Sequence, residues 1–136
     1  MIGVVAASNY FRGLLLLIRK DRKVTPPEVE LMRQIGKQLG FEEGFCNAAI
    51  DDILENPHVI DEVPLFSTKE LAAKFVRDGL SLAFADGELH PSEEAWVRST
   101  AERNELDRDF YMTELEAARS RGSHPAALEV DDLTVK

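Results

Sequence analysis

Residues 15–45 read LLLIRKDRKVTPPEVELMRQIGKQLGFEEGF, and residues 80–110, displaced by 65 positions, read LSLAFADGELHPSEEAWVRSTAERNELDRDF. Laid over one another, the stretches match Leu15 with Leu80, Leu17 with Leu82, Asp21 with Asp86, Pro26 with Pro91, Glu28 with Glu93, Arg33 with Arg98 and Phe45 with Phe110. Similar pairs lie between them: Val24 with Leu89, Leu31 with Trp96, Met32 with Val97, Gly36 with Ala101. Asp, Pro and Glu keep one local spacing, D-x4-P-x-E, at the same point of an apolar pattern. Self-similarity at a fixed displacement is the mark of a repeated structural unit. It predicts an all-α single domain of two related three-helix units, six to seven helices in all, with a pseudo-two-fold internal repeat. The most distinctive residues then fall in two equivalent loops, 21–28 and 86–93.

Helix boundaries follow from periodicity and stop signals. A first helix runs from about Val4 to Lys20. A second opens with Thr25 as N-cap, Pro26 at the first helical position and Glu28 at N3, which makes a capping box. Its inner face is Val29, Met32, Ile35 or Gly36, and Leu39, and Gly40 ends it. A third spans roughly residues 43–54 with Phe45, Ala49, Ile50, Ile53 and Leu54 on one side, stopped at Asn56-Pro57. Residues 58–66 form the one long connection, apolar enough to pack over the core. Ser67 with Glu70 reads as another capping box, opening a helix through Leu71, Phe75 and Leu82 to Ala85. Asp86-Gly87 is a turn signal. Pro91 begins the next helix, with His90 as N-cap, Glu93 at N3, and Trp96, Val97 and Thr100 inward. Asp107 caps the last helix, which carries Phe110, Leu115 and Ala118 and stops at Gly122. No stretch alternates as a half-buried strand would. The expected shared core includes Leu15, Leu17, Leu31, Leu80, Leu82 and Trp96. The helical domain thus covers 1–122, with repeats at about 10–55 and 67–121, and 123–136 is a polar C-terminal tail in which Leu128 and Val130 are the docking candidates.

Composition narrows the function classes. The chain has 136 residues, 44% hydrophobic and 30% charged, with a net charge of −9. That length supports one core without staples, and the charge opposes a nucleic-acid backbone or an anionic membrane as the main partner. The single cysteine, Cys46, forms no internal disulfide and sits in a helix-interior context, F-C-N-A-A-I, as a buried small hydrophobe. The apolar run at 14–18 is too short to span a bilayer, and no cleavage signature follows it. A cytoplasmic protein with no transmembrane segment is expected.

The acidic loop is where chemistry could reside. A-D-G-E-L-H-P-S-E-E puts Asp86, Glu88, His90, Glu93 and Glu94 close together, and crowded carboxylates around a Gly turn suit hard cations. The spacing is not that of an EF-hand. Capping alone also accounts for Glu28 and Glu93, because Glu at N3 closes a capping box and favours the positive end of the helix dipole. In the first loop, Arg22 and Lys23 stand where the second has Gly87 and Glu88, which opposes cation binding there; if the repeat brings the loops together, the two positive side chains pair instead with acidic residues of the sister loop, and a single site centred on Asp86, or no site, fits better than two equal sites. His58, His90 and His124 share no ligand spacing with one another or with Cys46, so zinc is not expected. No nucleophile elbow, P-loop or dinucleotide fingerprint is present, and no enzymatic activity is expected.

Two copies of an apolar helix ending in A-D-G-E-x-x-P-x-E, each followed by an amphipathic helix, resemble the tellurite-resistance TerB family and the wider TerB-like group. Residues 85–94 carry the motif and residues 20–28 its looser copy, and the resemblance runs from about residue 10 to 110. It implies an all-helical fold of two three-helix units. It also implies a role in bacterial tellurite or general chemical-stress response without enzymatic activity, in the cytoplasm, with a protein partner for modules of this kind. Carried over by position, an acidic site for a divalent cation (Ca²⁺, Mg²⁺ or Mn²⁺) would draw on Asp86, Glu88 and Glu93, with Asp21 and Glu28 from the other copy. Two function classes follow: a small ion-binding stress protein, or a metal-free helical scaffold that docks a partner on a helix face.

Overall fold

The computed structural model describes residues 2–21, 26–56, 62–84, 89–121 and 129, apart from the side chain of Asp21. Among these residues it holds six α-helices and no strand: α1 (Val4–Ile18), α2 (Pro26–Gln38), α3 (Glu43–Glu55), α4 (Lys69–Ala83), α5 (Pro91–Arg103) and α6 (Arg108–Arg121). A 3-10 turn, Arg19–Asp21, extends α1. The all-α expectation holds. No helix among the described residues is long and apolar enough to cross a membrane.

The packing follows from which helices are apolar all round. Every residue of α1 from Gly13 to Ile18 is buried, and a helix of that kind needs neighbours on every side. It has them in α2, α3, α4 and α5. α4 buries Leu71, Ala72, Phe75, Val76, Asp78, Gly79, Leu80, Leu82 and Ala83, against α1, α2, α5 and α6. α2 and α3, which bury fewer of their residues, pack on each other and on α1, as α5 and α6 pack on each other and on α4. Gly13 permits the α1–α4 approach, since a Cβ there would lie 2.8 Å from Phe75 Cε2 and 3.0 Å from Pro64 Cγ.

One core joins all six helices. Leu15, Leu17, Leu80, Leu82 and Trp96 lie in it as expected, while Leu31 is only partly buried against it. Tyr10, Phe66 and Phe75 form an aromatic knot at its centre, Tyr10 meeting Phe75 edge-on at 5.3 Å and Phe66 lying 5.1 Å from Phe75. Phe66 belongs to the long connection, of which residues 62–66 are described. Asn104 fastens that segment by accepting from Phe66 N–H at 2.8 Å and donating to the Pro64 carbonyl at 2.9 Å. Residues 62–66 therefore pack on the core, although Leu65 is 56% exposed.

Helix ends agree with local chemistry in most places. α2 starts at Pro26, where the fixed φ and missing N–H of proline cost nothing; the cap expected at Thr25 falls outside the described residues. Gly40 adopts φ +86° and closes α2 through Phe41 N–H to Gly36 O and Gly40 N–H to Lys37 O, both 3.0 Å, which is the Schellman arrangement. α5 closes in the same way through Leu106 N–H to Ala101 O (2.9 Å) and Glu105 N–H to Glu102 O (3.0 Å), with Glu105 held at φ 57°.

Two expectations are corrected. The N-cap of α4 is Thr68, not Ser67: Thr68 Oγ1 accepts from Leu71 N–H at 3.1 Å. N3 is then Leu71, so no Glu70 box forms. In α3 the inward positions are Cys46, Ile50 and Ile53, spaced i, i+4, i+7, and Phe45 is rotated out to 53% exposure, against Phe41 at 5.1 Å.

Candidate functional site

The described flanks of the two loops singled out by the repeat meet. Ser92 Oγ, in the first turn of α5, donates to the Lys20 carbonyl at 3.3 Å across 72 positions of sequence, and the 3-10 turn Arg19–Asp21 packs against α5. The end of α1, where the first loop begins, therefore abuts the start of α5, where the second loop ends. Burial, and after it the charge of Arg19, holds the Lys20 amine below its ordinary range.

Each loop leads into a helix whose third residue is a buried glutamate. Glu28 is 1% exposed and Glu93 0% exposed. Carboxylates are rarely so deep, because removing a charge from water is costly unless partners compensate it. Glu93 Oε1 accepts from His90 N–H at 3.3 Å, the expected capping contact. Its neighbour Glu94 faces the other way: it pairs with Arg98 at 3.3 Å and accepts from the Tyr111 hydroxyl at 3.2 Å. Burial, then the Glu94 charge and hydrogen bond, push the Tyr111 phenol far above its ordinary value. α6 thereby fixes the first turn of α5.

Of the five candidate ligands, Glu28 and Glu93 are placed. Asp86 and Glu88 lie outside the described residues, as do Arg22 and Lys23, and so does the side chain of Asp21. Among the described residues, no group of three or more His, Cys, Asp or Glu is arranged to hold a metal. His58 and His124 also lie outside them. Cys46 is buried at 2% exposure; burial, and after it the charge of Glu43, raises its thiol pKa.

A second polar centre was not anticipated. Asp78, in the middle of α4, is 1% exposed. Its Oδ2 accepts from the Tyr10 hydroxyl at 2.6 Å and its Oδ1 from the Glu129 backbone N–H at 2.6 Å. Burial, followed by the Asp78 charge and hydrogen bond and the Glu129 charge, raises the Tyr10 phenol well above its usual pKa. The signal lay in the helix period: Leu71, Phe75, Asp78 and Leu82 fall on one face, so an acid stands where the pattern asks for a hydrophobe.

An open groove of about 630 Å³ lies between α2 and α3, lined by Phe41 and Cys46 and by the polar Arg33, Lys37, Glu30 and Glu43 among others. Neither its charges nor its shape select one chemistry.

No protein-family model matches this chain, nor does any curated protein or solved structure.

Proposed function

We propose that this chain is a non-enzymatic, TerB-like helical module of a cytoplasmic bacterial stress response, in which the two inter-helix loops together present one site for a divalent cation. The observation that carries the proposal is the Ser92–Lys20 hydrogen bond, which brings the entry of the first loop against the exit of the acidic second one. Glu28 and Glu93 then stand at the same position of the helices that follow, both withdrawn from solvent. Their donor chemistry fits: carboxylate oxygens are the ligands hard cations take. Asp86, Glu88 and Asp21 would supply the remaining oxygens. Such an ion would supply charge compensation and a cross-link between the loops.

The proposal includes an internal repeat, two three-helix units related by a pseudo-two-fold. Helix closures support it, since Gly36, Lys37, Gly40 and Phe41 make the contacts that Ala101, Glu102, Glu105 and Leu106 make 65 positions later. The two sets of helix contacts, α1 with α2 and α3, and α4 with α5 and α6, support it as well.

A metal-free interaction module is the second reading. It is favoured by the contact of Glu93 Oε1 with His90 N–H, which gives that carboxylate a capping role. The half-exposed Phe45 beside the α2–α3 groove favours it too. Calorimetric titration of chelator-treated protein with Ca²⁺, Mg²⁺, Mn²⁺ and Zn²⁺ separates the two. Saturable binding of one oxygen-preferring cation, lost in Asp86→Asn, is expected. Absence of heat with all four leaves the interaction module.

A further inference from the structure

Trp96, the one tryptophan of the chain, lies on the buried side of α5 at 6% exposure. Phe75 of α4 flanks its ring, the two centroids 6.2 Å apart. Its main chain is engaged by Thr100 Oγ1, which donates to the Trp96 carbonyl at 2.9 Å. The indole Nε1–H, by contrast, is withdrawn from water and meets no acceptor. Such a donor carries its desolvation cost with nothing returned, and buried donors in folded proteins are paired in the great majority of cases. Apolar packing has no use for this N–H. At the matching position of the first copy of the motif, 65 residues earlier, the chain places Leu31.

Helix geometry points to the acceptor. Residues three apart share a helix face, and a long side chain leans over the turn N-terminal to its own Cα. For Trp96 that turn begins at Glu93, which is also on the buried side, at 0% exposure. An ionised carboxylate has about four acceptor positions, and the His90 N–H uses one of them, on Oε1. We propose that Trp96 is a positioning residue of the cation site: in the ion-loaded protein its Nε1–H donates to the Glu93 carboxylate and fixes that group's orientation as a ligand. The inference rests on the cation reading given above. Donors of this kind, one bond removed from the ion, set the direction and basicity of the groups that ligate it. The asymmetry of the two copies agrees. The tryptophan accompanies the loop that carries Asp86 and Glu88, and leucine accompanies the loop that carries Arg22 and Lys23.

A single tryptophan gives a single indole N–H peak in a ¹⁵N–¹H correlation spectrum of the full-length protein, so the first readout needs no variant. Chelator-treated protein is titrated with Ca²⁺ and with Mg²⁺, and calorimetry is run on the same samples. The cation that gives saturable heat should move the indole peak downfield, as a newly made hydrogen bond does, with the same saturation point. The second readout is Trp96→Phe, which keeps an aromatic ring in the site and removes the N–H. Its affinity for that cation should fall by about tenfold or more, the usual effect of deleting a donor to a ligating group. Saturable heat with an indole peak that stays in place overturns the role of Trp96 and leaves the cation site standing. Wild-type affinity in folded Trp96→Phe does the same. Absence of heat with either cation removes the cation reading and this inference together. If Trp96→Phe does not fold, the indole peak of the wild type decides alone.

Discussion

Tyr10→Phe removes one oxygen from the centre of the core and nothing else. Tyr10 is 0% exposed and Asp78 1%, so the change leaves a space that does not open to solvent, and Asp78 Oδ2 loses a 2.6 Å donor. Hydrogen bonds to charged groups contribute about 1.5–3 kcal/mol net, and a buried acceptor deprived of its donor carries its desolvation cost as well. The rings of Phe66 and Phe75 still pack on phenylalanine as they do on tyrosine, so the apolar terms are kept. The expected loss at neutral pH is therefore about 2–3 kcal/mol by urea unfolding, with little change in m-value.

The same variant has a signature at high pH. The Tyr10 phenol is held well above its ordinary value by burial first, and then by Asp78 and Glu129. Below about pH 10 it is protonated in both states and its contribution is fully present. Above that, the unfolded chain ionises while the folded one does not. The unfolded state then binds fewer protons, and stability falls by about 1.4 kcal/mol per pH unit until the raised folded value is reached. Tyr10→Phe lacks this loss. Because the unfolded phenol is half ionised at pH 10, its deficit relative to wild type should shrink between pH 10 and 11 by about 1 kcal/mol, other groups cancelling in the comparison. Unfolding curves at pH 7, 10 and 11 check both parts. A deficit below about 0.5 kcal/mol at pH 7 would refute the claim that Asp78 depends on this donor, and a deficit constant with pH would refute the raised phenol.

Two further outcomes concern helix ends. Thr68→Ala should cost about 1 kcal/mol, the usual effect of losing a cap hydroxyl, while Ser67→Ala should stay within about 0.5 kcal/mol as an exposed surface change; paired urea unfolding curves measure both. Glu105→Gly should raise stability by about 0.5–1 kcal/mol in thermal or urea unfolding, because φ 57° suits glycine better than a residue with a Cβ.

Where the sequence was legible, the signal was local or periodic. Pro26 and Gly40 announce the ends of α2 by conformational restrictions that act on single residues. The buried run in α1 is visible as a helix without a polar side. Ambiguity arose where two neighbours qualified equally. Phe45 and Cys46 are both apolar and differ by one helical step, and the close approach of α3 to Gly36, where a Cβ would run into Cys46 Sγ, admits only the smaller. Ser67 and Thr68 both offer a hydroxyl, and only the start of the turn decides between them. Asp78 eluded the pattern because its partners lie 68 and 51 positions away. Glu129 eluded it because a single anchoring residue has no period. Of the candidate site, the shared helix position of Glu28 and Glu93 was legible; the meeting of Lys20 with Ser92 was not, since it depends on how α1 meets α5.

That adjacency makes the role of Glu93 separable from capping. Glutamine keeps an Oε1 that accepts from His90 N–H and removes only the charge. If Glu93 is a cap alone, Glu93→Gln alters stability by the same amount whatever the cation concentration, because no ion enters the folding equilibrium. If it is a ligand, wild type gains stability with the logarithm of ion concentration over Kd, about 2.7 kcal/mol at one hundred times Kd. The variant gains less in proportion to its weakened affinity. Melting in chelator and in 10⁻⁵ to 10⁻² M Ca²⁺, Mg²⁺ or Mn²⁺ (about the range over which sensor and extracellular Ca²⁺ sites fill) resolves the slopes. Glu28→Gln provides the internal comparison. If the site spans both loops, the two variants should flatten the same cation's slope; if only the Asp86 loop binds, Glu28→Gln should leave it intact. Parallel curves for wild type and Glu93→Gln with every cation would remove the ion from the function and leave the helical faces to carry it.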